Sequence, residues 1–274
     1  MGLVIPLLRH YAPGTPIAIF QRPRNDNELV SENITLNIND DTFMEFKCVT
    51  RHTPHVDITS LMEQKTPLFV STSNVEILQA VLSRTSSFST SVGPCGFDDT
   101  IQGLEIARRT RYAGPARKVY LFENDAERFK KLIEERLGHE HFDIVHVMCD
   151  RICTQREWKE DEVQVVCEKY PGMAVVFPSK NEDATPFRRA SIEPTSPRRS
   201  LPRLILTRTK EEAQFYYHRK LSLLNGTHFT MAILAYNTLQ RAGFPSKSWP
   251  SRMLSEWKSD TRHHRLVNLT IQGR

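Results

Sequence analysis

The sequence predicts an α/β fold, because short apolar runs rich in β-type residues alternate with stretches of helical spacing from Gly2 to about Pro178. Two further observations bound the reading. The chain has 274 residues, 39% of them hydrophobic, enough to bury a substantial core. A polar interval of Pro, Ser, Asp, Glu and Arg then separates this region from a leucine-rich helical one. The expected organisation is an α/β domain at 1–178, an exposed linker at 179–202 and a helical domain at 203–274.

Leu3 to Tyr11 has helical spacing, and Ile17-Ala-Ile-Phe20 reads as a buried strand ended by Gln21-Arg22-Pro23. Leu68-Phe-Val-Ser71 is a second such run; the less regular sequence between them holds a strand around Phe43 to Val49. Asp98 to Tyr112 is helical, and Val119-Tyr-Leu-Phe122 follows as a strand. The clearest helix comes next: Phe129, Leu132, Ile133 and Leu137 share a face, Asn124 or Asp125 caps its start and Gly138 stops it. Strands near Ile144–Met148, Val163–Val166 and Met173–Phe177 complete the domain, and Leu204-Ile-Leu206 and a long helix from Lys210 to about Gln240 follow the linker.

Composition excludes several functions. The formal charge of +5 sits largely in short clusters such as Arg108-Arg109-Thr-Arg111 and Arg188-Arg189, and no nucleic-acid-binding pattern accompanies them, so no nucleic-acid partner is expected. Five cysteines without the spacing of a disulfide framework point to a reducing compartment. Cys149 and Cys153 with His146 nearby lack the further ligands of a structural zinc site, and no metal is expected. No apolar run has the length of about 18 residues that a membrane span needs, and the opening residues are too short for a signal peptide. The expectation is a cytoplasmic protein without membrane contact, in which the Asn-x-Thr sequences at Asn33, Asn225 and Asn268 carry little weight. Arg188-Arg189-Ala-Ser191 has the arginine spacing favoured by basophilic kinases, so Ser191 is a candidate for phosphorylation. Nothing in the sequence assigns an oligomeric state.

In the helix after the linker, Lys220, Asn225 and His228 interrupt a leucine-rich surface and, at α-helical spacing, fall within an arc of roughly 140°. Taken alone they fit the polar face of an amphipathic helix. The string Lys220-Leu-Ser-Leu-Leu-Asn225-Gly-Thr-His228, followed by Ala232 and Ala235-Tyr236, resembles the signature of the polyol-specific, long-chain mannitol dehydrogenase family. Two upstream segments arrive in the order that family requires. Val119-Tyr-Leu-Phe-Glu-Asn124 resembles its strand ending in a site asparagine, and His146-Val-Met-Cys-Asp150-Arg151-Ile152 its aspartate-arginine-isoleucine segment.

The resemblance implies an NAD- or NADP-dependent oxidoreductase, acting without metal, that interconverts a sugar alcohol or related hydroxy acid and its ketone; a mannitol-like polyol fits Leu-Leu-Asn-Gly-x-His best. Lys220 would take the hydroxyl proton, which at neutral pH requires a lysine pKa lowered by desolvation or by neighbouring charge. Asn225 and Asn124 would donate to the developing alkoxide, while His228 and Asp150 would orient substrate hydroxyls.

The resemblance further implies a Rossmann-like nucleotide-binding layer. Here that layer lacks its first strand and glycine-rich turn, with Gly2 as the last glycine of the turn, and is followed by only the start of a helical domain. Arg22 stands near the end of the second strand, where such folds often carry an acidic residue; an arginine there suits the extra phosphate of NADP, and equally fits a chain that holds no cofactor. The family's proline after the aspartate-arginine-isoleucine core is replaced by Cys153-Thr154. These departures keep a second reading open, a degenerate, non-catalytic relative acting as an interaction or regulatory protein.

Overall fold

Helix α1 (Val4–Tyr11) carries apolar residues toward two different cores: Leu7 packs with Tyr120, Val145 and Val147, and Ile5 with Ile34, Phe46 and Val163. A computed structural model of the chain describes residues 3–21, 31–39, 41–71, 74–151, 153–159, 161–167, 171–179 and 202–226, together with 230, 233, 237 and 241. By its contacts the chain divides into two units, Met1–Lys210 and Glu211–Arg274.

The first unit contains the two sheets that α1 contacts. Six strands form one of them: β1 (Ala18–Phe20), β2 (Asn33–Ile38), β3 (Asp41–Val49), β4 (Leu68–Val70), β8 (Cys153–Trp158) and β9 (Glu162–Cys167), in the order β1-β4-β3-β2-β9-β8. Strand β2 alternates buried Ile34, Leu36 and Ile38 with more exposed residues, as a strand with one covered face must. Its other neighbour in the core, Phe69, meets Trp158 edge to face at 5.3 Å. On the opposite face, α2 (His55–Glu63) and α3 (Val75–Leu82) bury Ile58, Ile77 and Val81 against Val49, Leu68 and Val70.

The other sheet has five strands: β5 (Ser87–Thr90), β6 (Arg117–Leu121), β7 (Phe142–Cys149), β10 (Met173–Val176) and β11 (Arg203–Leu206), in the order β11-β10-β7-β6-β5. Helix α4 (Phe97–Arg109) joins β5 to β6 and α5 (Ala126–Leu137) joins β6 to β7, and these three strands run parallel, giving two consecutive βαβ units. The α/β prediction therefore holds. Every residue of β6 is buried, because the strand is covered on both faces: Val119 and Leu121 lie under α4 and α5, Tyr120 and Phe122 on the side of α1. Phe97 and Phe129 stack at 3.8 Å between the two helices.

Two charged side chains on β6 find partners. Arg117 donates to the carbonyls of Ala107 and Leu82, the last turns of α4 and α3, so one guanidinium satisfies two helix C-termini. Burial lowers its pKa, and the Tyr112 ring lies 4.5 Å from its central carbon. Lys118, fully buried, donates to Ser179 Oγ at 2.6 Å and stands 3.5 Å from Asp143 on β7.

Several elements differ from the sequence expectation. The irregular interval before Leu68 holds β2 and α2 as well as β3, and α3, β5 and β8 were not anticipated. Helix α2 buries only Ile58, whereas α3 buries Ile77, Val81 and Leu82 behind an Asn74 cap, a helical pattern that the sequence does carry. Asp125 occupies the N-cap position of α5 but makes no side-chain capping bond, whereas Gly138 ends the helix at φ 86° as expected. The strand Arg203–Leu206, assigned from sequence to the region after the linker, is hydrogen-bonded parallel to β10. Leu204 and Leu206 pack into the α1 core, and Tyr11 both donates to Pro202 O and accepts from Leu204 N.

The packing between α4 and α5 makes a direct prediction. Phe129→Ala, at a fully buried position, should cost about 3–5 kcal/mol in denaturant unfolding, and a loss below about 1 kcal/mol would show that the stacked pair is not part of the core.

Candidate functional site

The parallel strands β5, β6 and β7 end on the same edge of their sheet, and the loops that leave them carry the first two predicted site residues. In open α/β sheets the carboxyl ends of the strands are where ligands bind, because the chain there turns outward into loops and helix N-termini. Asn124 is exposed in the turn between β6 and α5, and Asp150 follows directly on β7. The structure thus brings Asn124 and Asp150 to one sheet edge.

Between them in chemical importance stands a residue that sequence reasoning missed. Glu123, 8% exposed, accepts from the backbone N–H of Val92 at 2.7 Å and of Gly93 at 3.1 Å. A nearly buried carboxylate is tolerated there because two donors converge on it. The loop after β5 is thereby tied to the loop after β6. Gly93 adopts φ 70° and ψ 174°, a region open essentially to glycine alone, and there is open space where its Cβ would stand. A signal was present in the sequence: an acidic residue directly after the apolar run Val119–Phe122, and Gly93-Pro94 shortly after another strand.

Asp150 has a structural bond as well as its place at the edge. Its carboxylate accepts from Met173 N, and its own N–H donates to Met173 O at 3.1 Å, so it closes the β7–β10 ladder. The adjacent Gly172 has φ 88°, and a Cβ there would come within 2.6 Å of Arg151 Cβ, which makes glycine obligatory beside the Asp150-Arg151 turn.

The remaining described candidates belong to the second unit. Helix α6 (Lys210–Arg219) runs without interruption into a π-helical segment, Lys220–Asn225. Gly226 N–H donates to Leu221 O, the five-residue step of a π-helix. This changes the α-helical arc: a π-turn takes more residues than an α-turn, so positions 220 and 225 stand closer in angle than roughly 140°. Lys220 is half-buried.

Gly2, Arg22, His228, Ser191 and most of the 179–202 linker lie outside the described residues. His146 lies 4.4 Å, ring to ring, from Phe177. Among the described residues no group of three or more His, Cys, Asp or Glu is arranged to hold a metal ion, and no helix is long and apolar enough to cross a membrane.

No family profile matches the sequence, and no curated protein matches it significantly. Among solved structures the chain is similar to the 2-dehydropantoate 2-reductase of Geobacter metallireducens GS-15, with 12% identity and a TM-score of 0.41 over 76% of this chain and 56% of that one. It is also similar to a reductive aminase from Aspergillus terreus, solved with NADPH4, cyclohexanone and allyl amine, with 10% identity and a TM-score of 0.35 over 82% of this chain and 76% of that one. The chain spans little more than half the length of the Geobacter reductase.

The Glu123 anchor is open to test by stability. Replacing one carboxylate oxygen with an amide turns a donor toward a donor, so Glu123→Gln should cost about 1.5–3 kcal/mol and raise hydrogen exchange at Val92 and Gly93. Gly93→Ala should cost about 1–3 kcal/mol by backbone strain alone, since the added methyl meets no atom. Wild-type exchange rates at both amides in Glu123→Gln would remove the anchor from the account.

Proposed function

We propose that the chain is an NAD(P)-dependent oxidoreductase that interconverts a sugar alcohol, of mannitol-like type, and the corresponding ketose. The observation that carries this reading is the π-helical segment, whose ends are Lys220 and Asn225, the two residues that the resemblance makes base and alkoxide donor. A π-turn inside a helix costs hydrogen-bond geometry and is frequent at functional sites. The lysine and the asparagine at its ends are a proton acceptor and an amide donor, the two groups that ionising an alcohol needs.

A bound nicotinamide supplies hydride acceptance at the carbinol carbon; the chain's own residues manage the proton and the oxygen. Lys220 Nζ takes the hydroxyl proton, and Asn225 donates to the oxygen as negative charge grows there. Asn124, Asp150 and His228 are assigned to hydroxyls of the polyol, with Asp150 limited to the acceptor capacity left beside its bond to Met173 N. For the cofactor, the edge of the five-stranded sheet offers open space beside Gly93, although the Gly93 N–H is already taken by the Glu123 carboxylate. Gly2 and Arg22 are assigned to the same cofactor, Arg22 to the extra phosphate of NADP.

Steady-state kinetics and cofactor titration test this assignment. Lys220→Ala should lower turnover by at least about 10²-fold with the fold intact, as general-base catalysis typically contributes about 10² to 10⁴. Asn225→Ala should cost roughly 10² to 10³ in turnover. Fluorescence titration should show binding of NADH or NADPH, with any NADPH preference lost in Arg22→Ala. Unchanged turnover in Lys220→Ala would leave the lysine a solvated helix residue and sink the assignment.

A further inference from the structure

The redox chemistry of one cysteine pair lies apart from the proposed site chemistry. Cys153 on β8 and Cys167 on β9 are register partners in an antiparallel ladder, and their sulfurs stand 3.2 Å apart. Facing residues in such a ladder have Cα atoms about 4.5–5.5 Å apart. A disulfide spans about 4.4–6.8 Å, so the backbone already meets its requirement. The two thiols differ in access. Cys153 is exposed, at a register shift where β8 is the outer strand of its sheet; Cys167 is buried, and its N–H donates to Asn39 Oδ1 at 2.7 Å. Cys48, the other buried thiol, has its pKa pushed up to about 11 by burial.

We propose that Cys153 and Cys167 form a reversible disulfide across β8 and β9 on exchange with a small disulfide such as oxidised glutathione. Exposure makes Cys153 the attacking thiol: its thiolate bonds to one glutathione sulfur, the glutathione disulfide bond breaks, and one glutathione leaves as thiolate. The Cys167 thiolate then attacks the Cys153 sulfur of the mixed disulfide, and the second glutathione leaves. Two cysteine thiols are oxidised, one glutathione disulfide is reduced to two glutathiones, and these take up the two cysteine protons. The neighbouring Cys153 thiol and burial hold the Cys167 pKa above the usual thiol range, consistent with Cys167 acting second. In a reducing compartment the pair rests as dithiol, and the bond records a shift in glutathione poise.

The experiment uses the full chain, incubated with oxidised or reduced glutathione, alkylated with N-ethylmaleimide and read by intact mass and peptide mapping. Of the five thiols, two should become resistant to alkylation with no glutathione mass retained, in a peptide joining Cys153 to Cys167, and dithiothreitol should restore both. Cys167→Ser should instead accumulate one glutathione on Cys153, and Cys95→Ser, at an exposed site elsewhere, should leave the cross-link unchanged. Alkylation of both Cys153 and Cys167 in the oxidised wild-type chain overturns the proposal, as does a cross-link through Cys48, Cys95 or Cys149. The wild-type map decides this whether or not the serine variants fold.

Discussion

Covering both faces of β6 leaves the polar groups near its two ends without easy access to water, and much of the first unit is arranged around their pairing. Near the start, Lys118 reaches Asp143 and Ser179, while Arg117 reaches the C-termini of two helices. Just beyond its end, Glu123 takes two backbone N–H groups from the loop after β5. Each of these groups would carry a large desolvation penalty if left unpaired, so neighbouring strands and loops are held in specific positions by side chains of one strand.

That constraint also shapes the edge at which Asn124 and Asp150 sit. Glu123 holds the Gly93 loop to the turn that carries Asn124. Asp150 combines an edge position with a bond that closes the ladder to β10. A residue with such a bond is held in one orientation, which suits a group assigned to position a hydroxyl, and it also means that replacing Asp150 disturbs the sheet as well as any substrate contact. Kinetic effects at Asp150 therefore need a stability measurement beside them.

In the second unit a different economy operates. The π-helical segment sacrifices regular α-helical hydrogen bonding over six residues, Lys220 to Asn225, in a stretch of lysine, leucine, serine and asparagine. Leucine favours an α-helix, and nothing in the composition asks for the wider turn. A π-turn within a helix is rare and is frequent at functional sites.

How far the sequence was legible follows from what each feature depends on. Helix α5 was readable because Phe129, Ile133 and Leu137 share one face and Gly138 stops it; β6 because Val119-Tyr-Leu-Phe122 is a short apolar run with β-branched and aromatic residues, too short for a helix. Strand β2, with Ile34, Leu36 and Ile38 at period two, was legible and overlooked, whereas α2 offers only one buried apolar residue and was not. The candidate residues Lys220, Asn225, Asn124 and Asp150 came from short motifs, which carry residue identity and spacing but no backbone geometry. The sequence by itself determined the α/β alternation, the order of the segments and the residue types available for chemistry, since these depend on periodicity and side-chain identity. Only the tertiary structure decided that Arg203–Leu206 pairs with β10, that Glu123 anchors Gly93, that Cys153 faces Cys167 and that the Lys220 segment is a π-helix, because strand register, burial of a charge and the choice between four- and five-residue hydrogen bonds are set by contacts between residues distant in the chain or by packing that no local pattern records.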